Sequence, residues 1–210
     1  MNFFGHAAVA RLVDDDPAFV LGAMAPDLLG MCGLVAGTVT SPRLAAGQAH
    51  HLTVDAAFHG SATFVALQSW AVRALVTSGL RRGPARGAAH VGVELLLDGV
   101  LAGDRRARDG YQRSLASAQS TPEPFLWPDE STRARWLRLI SRLRAGGIPD
   151  RYRDPDFVTD RLVGALNGRP RLALTDPEVA CLRGWIPALQ QRVAAEADDL
   201  IPRGGVIPWR

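Results

Sequence analysis

The sequence predicts an all-α fold, a single helical bundle over residues 1–205 with 206–210 as a tail. Three observations predict it. Apolar residues recur at three- and four-residue spacing through most of the chain, the period of a helix with one face in a core. No stretch alternates apolar and polar residues as a convincing strand. The 14 prolines and 21 glycines of the 210 residues are spread along the chain without a repeat period, and several of them punctuate the periodic segments. At 47% hydrophobic residues the chain has ample material for a buried core.

The elements follow in order. Residues 2–13 read as a first helix, stopped by Asp14-Asp15-Asp16-Pro17. The apolar run 17–39 raises the question of a membrane span, but Pro26 and Asp27 near its middle and several glycines argue against one. It reads instead as a buried hairpin of two short helices interrupted at Ala25-Pro26-Asp27, because proline disfavours helical geometry in the residue before it. Residues 42–80 form one long helical region, and RRGPARG at 81–87 reads as a basic, exposed break. From Ala88 to Leu101 the segment AAHVGVELLLDGVL is apolar nearly all round, which places it at the centre of a bundle. Helical spacing resumes over 104–118, 130–144, 155–167 and 176–200, with TPEPFLWP, AGGIPD and NGRPR as punctuation.

Net charge is +3 and the basic residues are arginines, which suits an anionic partner held by planar, bidentate contacts. The absence of a long basic run or an aromatic-studded basic strand argues against nucleic acid. Cys32 and Cys181 are far apart and form no CxxC pair, so reduced thiols and a cytoplasmic protein are expected. Acids at 14–16 ahead of the first long apolar run are wrong for a signal peptide. No GxSxG elbow, P-loop or GxGxxG after a strand occurs, so covalent catalysis and nucleotide binding are not signalled.

The polar residues that stand out are in HLTVDAAFH. His51, Asp55 and His59 are four residues apart, a step of about 40° and about 6 Å on a helix, and form one slanted stripe. His90, Glu94 and Asp98 repeat the device inside the apolar central segment. Carboxylates in an apolar bundle are costly unless paired or coordinated, and imidazole with carboxylate suits Mn²⁺, Fe²⁺ or Zn²⁺. His6 on the first helix and Asp27 at the predicted turn can join them, while His50 points about 100° from the stripe. All five histidines lie within the first 90 residues, so the expected site is N-terminal. Arg151, Arg153, Arg169 and Arg171 are candidates to clamp phosphate or to dock a partner, with helix-end capping and surface ion pairs as the plain alternative.

These residues carry a family resemblance. The opening Met1-Asn2-Phe3 with His6, the APDLLG turn at 25–30, His51 with Val54-Asp55, HVGVELLLDGVLAG at 90–103, and IPDRYRDPDFV with NGRPRL together resemble the acyl carrier protein phosphodiesterases, HD-domain-like helical proteins. The resemblance implies a Mn²⁺-dependent phosphodiesterase that releases 4′-phosphopantetheine from holo-acyl carrier protein. It places Asp27, His51, Asp55 and Asp98 at metal or active-site positions. The chain departs from the family's Asp-His at Asp98-Gly99, and from its Thr-Asp at Phe58-His59. His59 or His90 then stands in for the missing histidine, and Glu94 for a family aspartate. The APD turn after a helix with an early histidine also looks like the zinc-dependent phospholipase C and P1 nuclease group.

The expected mechanism is a site of one or two divalent ions held by His51, Asp55, His90, Glu94 and Asp98. His6, Asp27 and His59 are further ligands or proton handlers, and Asp27, His59 and Asp98 are the expected catalytic groups. The bound ion, with Mn²⁺ favoured over Zn²⁺ or Fe²⁺, activates water for attack on phosphorus. An acidic acyl carrier protein would dock on the arginines of RRGPAR and DRYR. The competing expectation is a helical module that binds metal or a partner without turnover, because Gly99 replaces the family's histidine.

Overall fold

The computed structural model describes residues 1–34, 38–120, 124–147 and 150–201. The expected all-α class holds. The helices are α1 (Phe3–Val13), α2 (Pro17–Met31), α3 (Pro42–Gly60), α4 (Ala62–Thr77), α5 (Arg82–Leu101), α6 (Arg105–Ser120), α7 (Glu130–Gly146), α8 (Pro155–Asn167) and α9 (Asp176–Leu200), with a 3-10 turn at Asp150–Arg153. Strands β1 (Thr38–Val39) and β2 (Phe125–Leu126) pair antiparallel, Val39 opposite Phe125. At two residues each they are too short to alternate visibly. No helix among the described residues is long and apolar enough to cross a membrane. The tail 206–210 lies outside the described residues.

Backbone contacts gather the chain into two compact units. The first holds α1, α2, α3 as far as Ala57, α6, α7 and the β1–β2 ladder. Its core is built on Phe4 and Tyr111, edge to face at 5.3 Å, with Leu21, Met24, Leu28 and Leu29 of α2 fully buried. Trp136 of α7 packs edge-on to Phe125 of β2 at 5.0 Å. The acidic DDDP segment ends α1 and starts α2. Asp16 accepts hydrogen bonds from Ala18 and Phe19 at 2.8 and 3.2 Å with Pro17 behind it, a strong helix start. Asp15 takes Arg113 of α6, and Asp14 takes Arg43 of α3.

Helices α2 and α3 approach to backbone contact at Gly22 and Gly47. A Cβ on Gly22 would lie 2.3 Å from Leu44 O, and one on Gly47 2.1 Å from Phe19 O. Only glycine fits at either position.

The second unit holds the last turn of α3 from Phe58, then α4, α5, the 3-10 turn, α8 and α9. Phe58 and Phe64 pack at 4.7 Å, and Leu162, Leu182, Ile186, Leu189 and Val193 are fully buried. Asp154 caps α8 ahead of Pro155. At the start of α9, Glu178 accepts from the Thr175 N–H at 2.9 Å and takes the Arg81 guanidinium on both oxygens, at 3.0 and 2.9 Å.

Three boundaries differ from expectation. The hairpin over 17–39 is a single helix to Met31, with Pro26 inside it. The proline withholds one N–H from the carbonyl of Gly22, but Leu21–Ala25 on one side and Leu28–Leu29 on the other are all buried, and that packing outweighs the local preference. The region 42–80 breaks at Ser61, whose Oγ accepts from the Phe64 N–H at 3.1 Å and caps α4. RRGPARG is the start of α5 rather than a break. Pro84 sits in the first turn, where its missing N–H costs nothing, and the break is at Ser78-Gly79-Leu80, with Gly79 at φ 108°.

Candidate metal centre

A helix step of eight residues turns about 80° and rises about 12 Å, so His51 and His59 of one stripe cannot both reach one ion with bonds of about 2 Å. The structure sorts the candidates accordingly. Among the described residues, His6, Asp27 and His51 form one group in the first unit, with ligand atoms within 4.8 Å of one another. His59, His90 and Glu94 form another in the second unit. Asp98 is completely buried and belongs to neither group.

The first group draws one residue from each of α1, α2 and α3. His6 and His51 stack with ring centroids 3.8 Å apart. His51 Nδ1–H donates to the carbonyl of Ala23 at 2.8 Å, which fixes the tautomer and leaves Nε2 as a lone pair. His6 is 1% exposed, and neither of its ring nitrogens has a hydrogen bond among the described residues. Its Nε2 lies 3.5 Å from Asp55 Oδ1, close enough for charge attraction but outside hydrogen-bond geometry. Asp55 Oδ1 itself accepts from the Met1 nitrogen at 2.9 Å.

Burial depresses the His6 imidazole to about 4, against the opposing pull of Asp55 and with added repulsion from His51. His51 is lowered too, by burial first, with the Ala23 carbonyl and Asp55 opposing. Both rings are therefore neutral at pH 7, the form that ligates a metal. A buried polar group left unbonded costs about 1–3 kcal/mol, a cost that coordination removes. The donor set of two imidazoles and a carboxylate suits Mn²⁺, Fe²⁺ or Zn²⁺. The residues fit a divalent ion. His50 lies outside the group, its ring tilted against Phe19 at 5.4 Å.

The second group is differently wired. The Gln68 side-chain amide donates to His90 Nδ1 at 3.1 Å, so the His90 proton sits on Nε2 and points at Glu94 Oε1, 3.3 Å away. His59 Nε2 reaches the same oxygen at 3.0 Å, and the two rings stack at 4.8 Å with planes 5° apart. In this arrangement both Nε2 atoms are donors and neither offers a lone pair. Burial works to raise the Glu94 carboxyl, but the bonds from His59 and His90 outweigh it and hold it well below the usual range. This is a hydrogen-bonded His–Glu–His triad suited to holding or passing a proton, and a metal on the two Nε2 atoms would have to displace their protons.

Gly99 has a structural cause. A Cβ there would lie 2.5 Å from Tyr152 O, and Arg153 Nε donates to the Gly99 carbonyl at 3.1 Å. The 3-10 turn lies directly on α5, and no side chain fits between. The other predicted arginines divide. Arg151 lies over the Phe157 ring at 4.2 Å, Arg169 lines a groove, and Arg171 is exposed. Sequence reasoning missed Gln68 and the Ala23 carbonyl, which are placed only by tertiary structure. Comparison with protein-family models, curated proteins and solved structures gives no match for the chain.

Proposed function

We propose that the chain is a divalent-metal-dependent hydrolase whose ion is held by His6, Asp27 and His51, with a phosphodiester as its substrate. The observation that carries the metal is the buried His6 imidazole, neutral and with neither nitrogen hydrogen-bonded, stacked on a His51 whose Nε2 lone pair is oriented by Ala23. The substrate class rests on the resemblance of the APDLLG, His51–Asp55 and HVGVELLLDGVLAG segments to acyl carrier protein phosphodiesterases. Mn²⁺ is the metal that resemblance favours.

A divalent ion in such a site lowers the pKa of a bound water toward neutrality and neutralises charge on phosphoryl oxygens. The chain's own residues do the rest. His6 and His51 stay neutral because they are buried, and so keep their lone pairs at pH 7. Ala23 holds the His51 ring in place. Asp55, half-exposed beside His6 Nε2, is the carboxylate placed to orient that ring or to accept a proton.

A second reading has one specific observation behind it. Gly99, overlaid by the Tyr152 carbonyl, stands where the resembled family has histidine, so the chain keeps the metal group without turnover. Hydrolysis of bis-(p-nitrophenyl) phosphate separates the two. Activity that requires Mn²⁺ or Zn²⁺ and disappears in Asp27→Asn and His51→Ala supports the hydrolase. A metal-loaded protein inert toward this ester and toward holo-acyl carrier protein supports the non-catalytic module.

A further inference from the structure

Helices α4, α5 and α8, with the turn after α8, enclose a groove of about 450 Å³ in the second unit. Its polar wall is Gln68, Arg86, His90 and Arg169, and its apolar floor is Val91, Ala165, Leu166 and Leu172. None of the described residues that line it is acidic. Gln68 is already committed to His90 Nδ1 and His90 to Glu94, so the two arginines are the groups left to meet a ligand.

Three other arginines of the unit are held by carboxylates, whereas Arg73, Arg82 and Arg171 are not among the described residues. Arg81 is matched by Glu178, Arg183 by Asp156 and Asp160, and Arg192 by Glu196. Arg86 and Arg169 have no ion pair or side-chain hydrogen bond among the described residues. Two unmatched guanidiniums on one groove suit a dianion better than a monoanion, and a planar fork matches phosphate oxygens two at a time. A phosphate monoester carries about −1.5 to −2 at pH 7, whereas a carboxylate carries one charge. The apolar floor adds a place for carbon.

We propose that this groove binds a small organic phosphomonoester, with Arg86 and Arg169 gripping the phosphate and the apolar floor taking its carbon chain. The inference does not rest on the metal centre or on hydrolysis.

Calorimetric titration of the full chain with hexyl phosphate, hexanoate and inorganic phosphate, with and without EDTA, tests it. Hexyl phosphate should bind saturably at one site in both buffers, at least about tenfold more tightly than hexanoate or inorganic phosphate. Arg86→Gln and Arg169→Gln should each weaken it by about tenfold or more without moving the melting temperature, while the exposed Arg105→Gln leaves it unchanged. Absence of saturable binding, equal affinity for hexanoate, or full affinity in the Arg86→Gln/Arg169→Gln double variant would overturn the proposal. Binding lost in EDTA would overturn it by assigning the phosphate to the metal centre. Sedimentation with phosphatidic-acid vesicles in the absence of hexyl phosphate binding would overturn it in favour of a membrane headgroup.

Discussion

His51 gives its Nδ1 proton to the backbone carbonyl of Ala23 at 2.8 Å. That one bond ties α3 to α2 and fixes which ring nitrogen carries the lone pair in a residue that groups with His6 and Asp27. It depends on the close crossing of the two helices four residues earlier, where Gly22 and Gly47 meet.

The crossing is testable by a single methyl group. The Cβ of Gly47→Ala would stand 2.1 Å from Phe19 O and 2.8 Å from Ala23 N, both backbone atoms that cannot swing away. Forcing α2 and α3 apart should cost about 2–3 kcal/mol in urea denaturation and lower the bound-metal content together with it. Gly164→Ala on α8, with nothing within 4 Å of its Cβ, serves as the control and should be neutral or stabilising by about 0.5–1 kcal/mol.

Placing the resembled family's histidine at position 99 should fail. Gly99→Ala places Cβ 2.5 Å from the Tyr152 carbonyl and should destabilise by about 1–3 kcal/mol. Gly99→His should do more damage than Gly99→Ala, read as a lower melting temperature. A Gly99→His protein as stable as the parent would show that the 3-10 turn does not lie on α5 as described.

The histidines dictate how stability changes with acid. His6 has an ordinary value of 6.5 and a folded value of about 4, so between these the unfolded chain holds more protons than the folded one. Its contribution is therefore present above pH 6.5 and is lost as pH falls toward 4, by roughly 3 kcal/mol in total. His51 is depressed as well and adds to the slope. Urea midpoints of metal-free protein from pH 7 to pH 4 should fall steadily, and His6→Phe should flatten much of that fall.

Glu94 behaves in the opposite functional sense but with the same sign of slope. Its carboxyl is held below its usual 4.5, so its bonds to His59 and His90 stabilise the fold above that pH and are lost as pH falls. Glu94→Gln leaves one oxygen for both imidazoles but replaces a charged acceptor with a neutral one and should cost about 1–3 kcal/mol at pH 7, a gap that narrows in acid. Thermal melts of the two proteins at pH 7 and pH 4 check it.

Much of the fold was legible because helix period survives in sequence. The expected helices over 155–167 and 176–200 coincide with α8 and α9. What was not legible is where packing overruled local signals. Pro26 reads as an interruption, yet buried neighbours on both sides carry α2 through it. RRGPARG reads as a break because proline and glycine dominate it, although proline is at home in a first turn. In the site, the i, i+4 pair His90–Glu94 is in contact, whereas Asp55 lies against His6 of α1, and His51 and His59 fall into different groups, as the twist over eight residues requires. The wiring that suits one group to a metal ion and the other to holding a proton depends on Ala23 and Gln68, whose positions no spacing rule reveals.

The most direct measurement is the metal content, by plasma mass spectrometry, of untagged protein incubated with Mn²⁺, Zn²⁺ or Fe²⁺ and desalted, for the parent chain, His6→Ala, Asp27→Asn, His51→Ala and Glu94→Gln. Near-stoichiometric metal that is lost in the first three variants and kept in Glu94→Gln is the predicted result. No bound metal in the parent chain, or metal that survives in His6→Ala and His51→Ala, would contradict it.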